Sequence, residues 1–157
     1  MTQPSAEDIF ARHHRDLYRF VLRMTGRPAV ADDVCQDVFL RVVRAIGDGG
    51  AVGHERGWVF AIARNLVADH RRAESRQPFV VGDAPEPAAS GSQALAFGLD
   101  EALSGLADAD REMFLLREIG GLSYAEIALA STCTVEAVRS RLFRARARLR
   151  AVLAPLR

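Results

Sequence analysis

The chain has 157 residues, 49% of them apolar, which is enough for one domain or two small ones with proper cores and excludes wholesale disorder. No apolar run approaches the roughly 18–20 residues of a membrane span, and the N-terminal stretch MTQPSAEDIFARHHRD lacks the basic-then-apolar layout of a secretory signal. A formal charge of +1 argues against a polyanion partner at first sight, while two distant cysteines, Cys35 and Cys133, give neither a disulfide framework nor metal-ligand spacing, so the default is a reduced, cytoplasmic protein.

Helix-period apolar positions begin at once, and nothing alternates with the period of a strand. Ile9 to Arg23 reads as a first helix, with Phe10, Leu17, Phe20, Val21 and Met24 as its core face. His13 and His14 are adjacent, so they point about 100° apart; both are expected on the surface, and they make no ligand pair. GRP at 26–28 ends the helix, and AVADDVCQDVFLRVVRAI forms a second one. Its apolar arc is Ala31, Val34, Cys35, Val38, Phe39, Val42 and Ile46, with Cys35 a small buried apolar residue. Asp33, Gln36, Asp37, Leu40 and Arg44 share the opposite side, a leucine set among acids. A glycine-rich loop, GDGGAVGHERG, leads to a third helix, WVFAIARNLVADHRRAESR. There Trp58, Ile62 and Leu66 share a face assigned to the core, and Arg64, Asn65, Arg71 and Arg72 lie elsewhere.

QPFVVGDAPEPAASGSQ holds three of the six prolines among small residues, the composition of a mobile tether. The expectation is therefore an all-α protein of two small helical domains, 5–77 and 94–157, joined by a flexible linker at 78–93. In the second domain DEALSGLADADREMFLLREIGG gives helices around a short break, with Asp108 as N-cap and Gly120-Gly121 as the stop. Ser123 and Glu126 have capping-box spacing ahead of SYAEIALA, and after STC a long basic helix starts at Thr134, a good N-cap type.

The charge distribution corrects the impression left by the total. Residues 101–136 carry seven acids against Arg111 and Arg117, a local −5, while residues 137–157 carry seven arginines and no acid, a local +7. On the basic helix Val135, Val138, Leu142, Ala145, Leu149 and Val152 form one apolar stripe at 3–4 spacing. Arg139, Arg146 and Arg150 flank one side of it, Arg141 and Arg148 the other. The face opposite holds Glu136, Ser140, Phe143 and Ala147, with Arg144 at its edge, so Phe143 points away from the core. A short capped helix, a three-residue turn and a longer helix with arginines near its start make a helix-turn-helix. In that arrangement the start of the second helix enters the major groove and flanking arginines hold phosphates. The predicted ligand of this face is DNA.

These strings together resemble an extracytoplasmic-function sigma factor of the sigma-70 family over nearly the whole chain. LADADREMFLLREIGGLSYAEIA followed by VRSRLFRARARLR is similar to the family's fourth region, which reads the −35 promoter element; ADDVCQDVFLRV resembles region 2.2, and WVFAIARNLVADHRR regions 2.3 and 2.4, which read and open the −10 element. The resemblance places −35 contacts at Arg139, Ser140, Phe143 and Arg144, all on the outward face. It implies docking of Asp33, Gln36, Asp37 and Leu40 on the clamp-helix coiled coil of the polymerase β′ subunit. It also implies a pocket for a flipped −10 base at Asn65 and the preceding loop with His54 and Arg56, supported by Arg64, Arg71 and Arg72. Core RNA polymerase (β′ clamp helices and β flap), promoter DNA and a cognate anti-sigma factor are the implied partners; no cofactor, metal or catalytic residue is implied. Two departures stand out. Thr132 occupies a turn position where the family has glycine, at a cost of about 1 kcal/mol if φ is positive, and Glu136-Ala137 replaces a Gly-Thr pair. Both bear on the −35 sequence preferred.

Three other readings remain open from the residues. A repressor or activator with the same helix-turn-helix would bind DNA without polymerase. A sigma mimic would only sequester an anti-sigma factor. An enzyme would need a nucleophile, metal or phosphate-loop motif, and the sequence has none.

Overall fold

A reciprocal cap starts α1 (Ala6–Thr25): Ser5 Oγ accepts from Asp8 N at 3.1 Å, and Ser5 N donates to Asp8 Oδ2 at 3.3 Å. The computed structural model of the chain describes residues 4–49, 54–76 and 93–154, all helices and their connections, with no strand among the described residues. Gly26 ends α1 in the left-handed region (φ 70°), where a glycine carries no Cβ penalty. Pro28 then opens α2 (Pro28–Gly47) at the first position, the place where a missing N–H costs nothing. Helix α3 runs Glu55–Arg76, three residues longer at its start than expected, because Glu55 suits the positive end of the dipole and Trp58 N already bonds His54 O at 2.9 Å.

The expected core of the N-terminal half is largely as read. Leu17, Phe20, Val21 and Met24 are buried, and Phe10 is half-buried against Phe39, ring centroids 5.1 Å apart. Phe20 meets Phe60 edge-on at 5.7 Å, a geometry that contributes about 0.5–1.5 kcal/mol beyond area burial. Two expectations need correction. Trp58 and Ile62 are only half-buried; the core line of α3 is Val59, Phe60, Ala63, Leu66 and Val67, a wide arc because α3 packs against α1 and α2 on one side and a C-terminal helix on the other. His13 is not a surface residue: it is 7% exposed, beneath Glu55 and Arg56, while His14 does stand in solvent.

The C-terminal half contains α4 (Gln93–Ser104), α5 (Asp108–Glu118), α6 (Tyr124–Ala130) and α7 (Val135–Leu153). The expected linker 78–93 lies outside the described residues, apart from Gln93, which opens α4. Asp108 is not the N-cap of α5; Ala107 takes that place without a side-chain bond, and Asp108 sits in the first turn, paired with Arg111. The turn after α5 is tight: a Cβ on Gly120 would lie 2.5 Å from Leu116 O, and Gly121 has φ 66°. The Ile119 and Gly120 carbonyls of this turn accept hydrogen bonds from Arg56 of α3. Ser123 and Glu126 make the expected capping box, and Thr134 Oγ1 accepts from Ala137 N at 3.1 Å to start α7. Between them Thr132 holds φ 53°, so the turn keeps the left-handed geometry despite a β-branched side chain. Val138, Leu142, Ala145 and Leu149 bury the α7 stripe against α4, α5 and α6. Its last member, Val152, is exposed, and Leu153 packs on the core instead.

The two halves touch. α3 packs on α6, and α1 on α5.

Candidate nucleic-acid and partner interfaces

Three polar faces follow from this scaffold. The first is the outward side of α7. Burial of Leu142 forces its neighbour Phe143 outward, where it is 69% exposed, and Arg139, Ser140 and Arg144 stand in solvent beside it. Arg144 Nη2 lies 3.3 Å from Asp110 Oδ1, which ties the guanidinium to α5 without covering it. The pose of α7 is set from beneath: Arg146 Nη1 donates to Tyr124 Oη at 3.3 Å and Arg146 Nη2 lies 3.5 Å from Glu118, while Arg117 lies over the Tyr124 ring at 5.3 Å. Arginines on both shoulders of an exposed aromatic can hold two phosphate strands while the ring and Ser140 meet base edges.

The second face is on α2. Asp33, Gln36 and Asp37 are exposed and Leu40 is 55% exposed, with Val43 beside it, also exposed. Cys35, on the buried side, has its thiol pushed up to about 11 by burial and then by Asp32, so it is a packing residue and an unreactive thiol.

The third face, on α3, is split. His54, Asn65 and Arg72 are exposed, with Arg72 paired to Asp69 of its own helix. Arg56, Arg64 and Arg71 are half-buried and engaged. Arg56 also corrects its expected setting: it lies in the first turn of α3, not in a loop; of the glycine-rich loop, residues 50–53 lie outside the described residues. Its guanidinium donates to Asp16 Oδ2 at 2.7 Å, to Ile119 O at 2.9 Å and to Gly120 O. It also reaches His13 Nδ1 at 3.2 Å. A guanidinium only donates, so Nδ1 accepts and Nε2 carries the hydrogen given to Glu55 Oε1 at 2.8 Å. Arg64 Nε donates to Glu112 Oε1 at 2.9 Å, and Arg71 Nη2 to Met24 O at 2.7 Å. Burial pushes the Glu112 carboxyl above its ordinary value, against the opposing pull of Arg64, Arg71 and Ser131.

Sequence reasoning missed His13, Asp16, Glu112 and the two carbonyls at 119–120. A signal for His13 existed, since Ile9, His13, Leu17, Phe20 and Met24 keep one 3–4 spacing; the others had none, because their partners lie 40 to 64 positions away in the chain.

Residues 9–77 match the family described as Sigma-70 region 2, and residues 97–149 match Sigma-70, region 4. The ECF RNA polymerase sigma factor SigC of Mycobacterium tuberculosis (strain CDC 1551 / Oshkosh) is 40% identical over 138 residues, covering 84% of this chain and 74% of the relative. Among solved structures, the sigma factor RpoE of Bartonella quintana, in complex with the anti-sigma factor NepR, is 27% identical with a TM-score of 0.75, over 93% of this chain and 92% of that one. CnrH in complex with the cytosolic domain of CnrY is 28% identical with a TM-score of 0.69, over 96% and 88%. Among the described residues no helix is long and apolar enough to cross a membrane.

Proposed function

The chain is an extracytoplasmic-function sigma factor of the sigma-70 family, an alternative RNA polymerase sigma factor, and on that premise we propose a division of labour among its three faces. It binds core RNA polymerase in the cytoplasm and directs promoter-specific initiation, and polymerase does the chemistry. Asp33, Gln36, Asp37 and Leu40 dock α2 on the β′ clamp helices. The C-terminal unit, 94–157, sits at the β flap and reads −35 duplex through Arg139, Ser140, Phe143 and Arg144. The N-terminal unit, 5–77, opens the −10 element and holds its exposed strand with His54, Arg56, Arg64, Asn65, Arg71 and Arg72. Two small modules joined at 78–93 gain little from binding DNA separately; polymerase fixes their spacing and turns the second contact into an intramolecular one. A cognate anti-sigma factor holds the protein inactive by covering these surfaces, as the complexes of the two structural relatives suggest.

The observation that carries this reading is the α7 face, an exposed Phe143 set among arginines on the second helix of a doubly capped helix-turn-helix. Its test separates the faces. Arg144→Ala is expected to lower −35-dependent initiation while core affinity stays unchanged. Asp37→Arg is expected to abolish most core binding and leave duplex contact by the isolated chain unchanged. An equal loss of polymerase affinity in the two variants contradicts the division.

A further inference from the structure

The outward face of α7 carries arginines in two different settings. Arg139 stands in solvent, whereas Arg144 is tethered at one end: its Nη2 donates to Oδ1 of Asp110, in the first turn of α5, at 3.3 Å. The pair is lopsided. The Arg144 side chain is 62% exposed and that of Asp110 only 13%. An acid in a first turn suits the positive end of the helix dipole, and Asp108 fills that role in solvent, paired with Arg111 of its own helix. A carboxylate drawn inward needs a partner as well, and that of Asp110 comes from another helix, 34 positions along the chain. An ion pair with so open an arginine contributes little to stability. Its consequence lies in where it leaves the guanidinium.

An untethered arginine beside duplex DNA has two kinds of acceptor in reach, and the phosphate attracts it whatever the sequence. Guanine is read only when two N–H groups of the guanidinium meet O6 and N7 together. The contact to Asp110 takes one Nη2 hydrogen, and the other still forms a two-donor edge with Nη1 or Nε. A guanidinium that already faces a carboxylate gains less from a second anion than from a neutral base edge. We propose that Asp110 is the positioning residue for Arg144: it holds the guanidinium over the base edges and away from the phosphates, so that Arg144 reads a guanine of the −35 duplex. This rests on the reading of α7 as the −35 face. Arg139, which no described side chain tethers, is left to hold phosphate, so the two arginines divide into a reader and a clamp. The sign of the effect is distinctive. Without Asp110, Arg144 is released to the phosphates, and specificity falls while affinity for unmatched duplex does not.

Core polymerase loaded with the full-length protein tests this on a mapped promoter whose −35 element is randomised, with the bound duplexes sequenced. Arg144→Ala identifies the position, where guanine preference is expected to fall about tenfold or more. Asp110→Ala is expected to cut the preference at that same position about fivefold, and to leave the other positions within about twofold. It should bind library members that lack the guanine at least as tightly as wild type does. Asp110→Asn keeps an acceptor oxygen and is expected to retain most of the preference, and Asp110→Ala should add nothing in an Arg144→Ala background. Circular dichroism checks that each variant stays helical; Asp110→Leu, which keeps the bulk and removes the acceptor, serves the same readout if the alanine variant does not. Unchanged guanine preference in Arg144→Ala removes Arg144 as a reader, and its −35 assignment falls together with the inference. Loss of preference in Arg144→Ala but in neither Asp110→Ala nor Asp110→Leu overturns the inference alone. Relaxation that spreads over every position, or that persists without Arg144, makes Asp110 a structural residue and overturns it too.

Discussion

On α7, Arg139 and Arg144 stand in solvent around an exposed Phe143; on α3, Arg56, Arg64 and Arg71 are half-buried against the opposite unit. The side-chain chemistry is the same and the setting is opposite. The α7 arginines sit on the far side of a stripe that packs within its own unit, and among the described residues their side-chain partner is Asp110, which pairs with Arg144. The α3 arginines project from a helix that packs on both units, and the acid-rich stretch ahead of α7 supplies them with partners. The outward face of α7 is thus open to solvent, while the α3 arginines are engaged within the chain. Local charge therefore reports binding capacity, and packing reports whether that capacity is free.

The sharpest way to break this comparison uses two adjacent residues of α7. Leu142→Ala empties a fully buried site and is expected to destabilise the protein by about 2–5 kcal/mol in urea unfolding. Phe143→Ala is expected to change stability by no more than about 0.5 kcal/mol, yet to lower −35-dependent transcription about tenfold through a lost base contact. Similar stability losses at both positions would mean that the outward face is structural. Next in size are the turn residues that aim α7. Ser123→Ala removes a capping box and should cost about 1 kcal/mol, whereas Thr132→Gly relieves a positive φ and should raise stability by about 1 kcal/mol. A destabilised Thr132→Gly would show that the threonine side chain has a role beyond its backbone geometry.

The smallest expected effect belongs to Glu112. Its carboxyl binds a proton more tightly folded than unfolded, because burial opposes its charge. Between the ordinary value of 4.5 and the raised folded value, the native state holds more protons than the unfolded state, so stability falls as pH rises through that window. The contribution is fully present below the ordinary value and is lost above the raised one. Unfolding curves across this range should flatten in Glu112→Gln; an unchanged slope would remove the burial argument.

Much of this architecture is legible in the residues themselves. The cap at Ser123, the N-cap at Thr134 and the outward turn of Phe143 follow from local spacing, and local spacing is all that capping and amphipathicity require. The same holds for the exposed acids and Leu40 of α2. What spacing within one helix does not contain is the partner across a gap. Arg64 meets Glu112 48 positions away, and Arg56 meets backbone carbonyls, which no side-chain pattern marks. The burial of His13 is legible in spacing, since it shares the stripe of Ile9 and Leu17, whereas its adjacency to His14 points to the surface. Asp108 looks like a cap by residue type, but the helix starts one residue earlier on Ala107, and the aspartate is used for Arg111 and Arg71.

Run-off transcription by purified core polymerase on fragmented genomic DNA, with and without the protein, tests the sigma role most directly. Discrete transcripts that appear only with the protein, with starts that share two upstream elements, are the expected result. Tight duplex binding by the chain alone, with no core binding and no new transcripts, would contradict it.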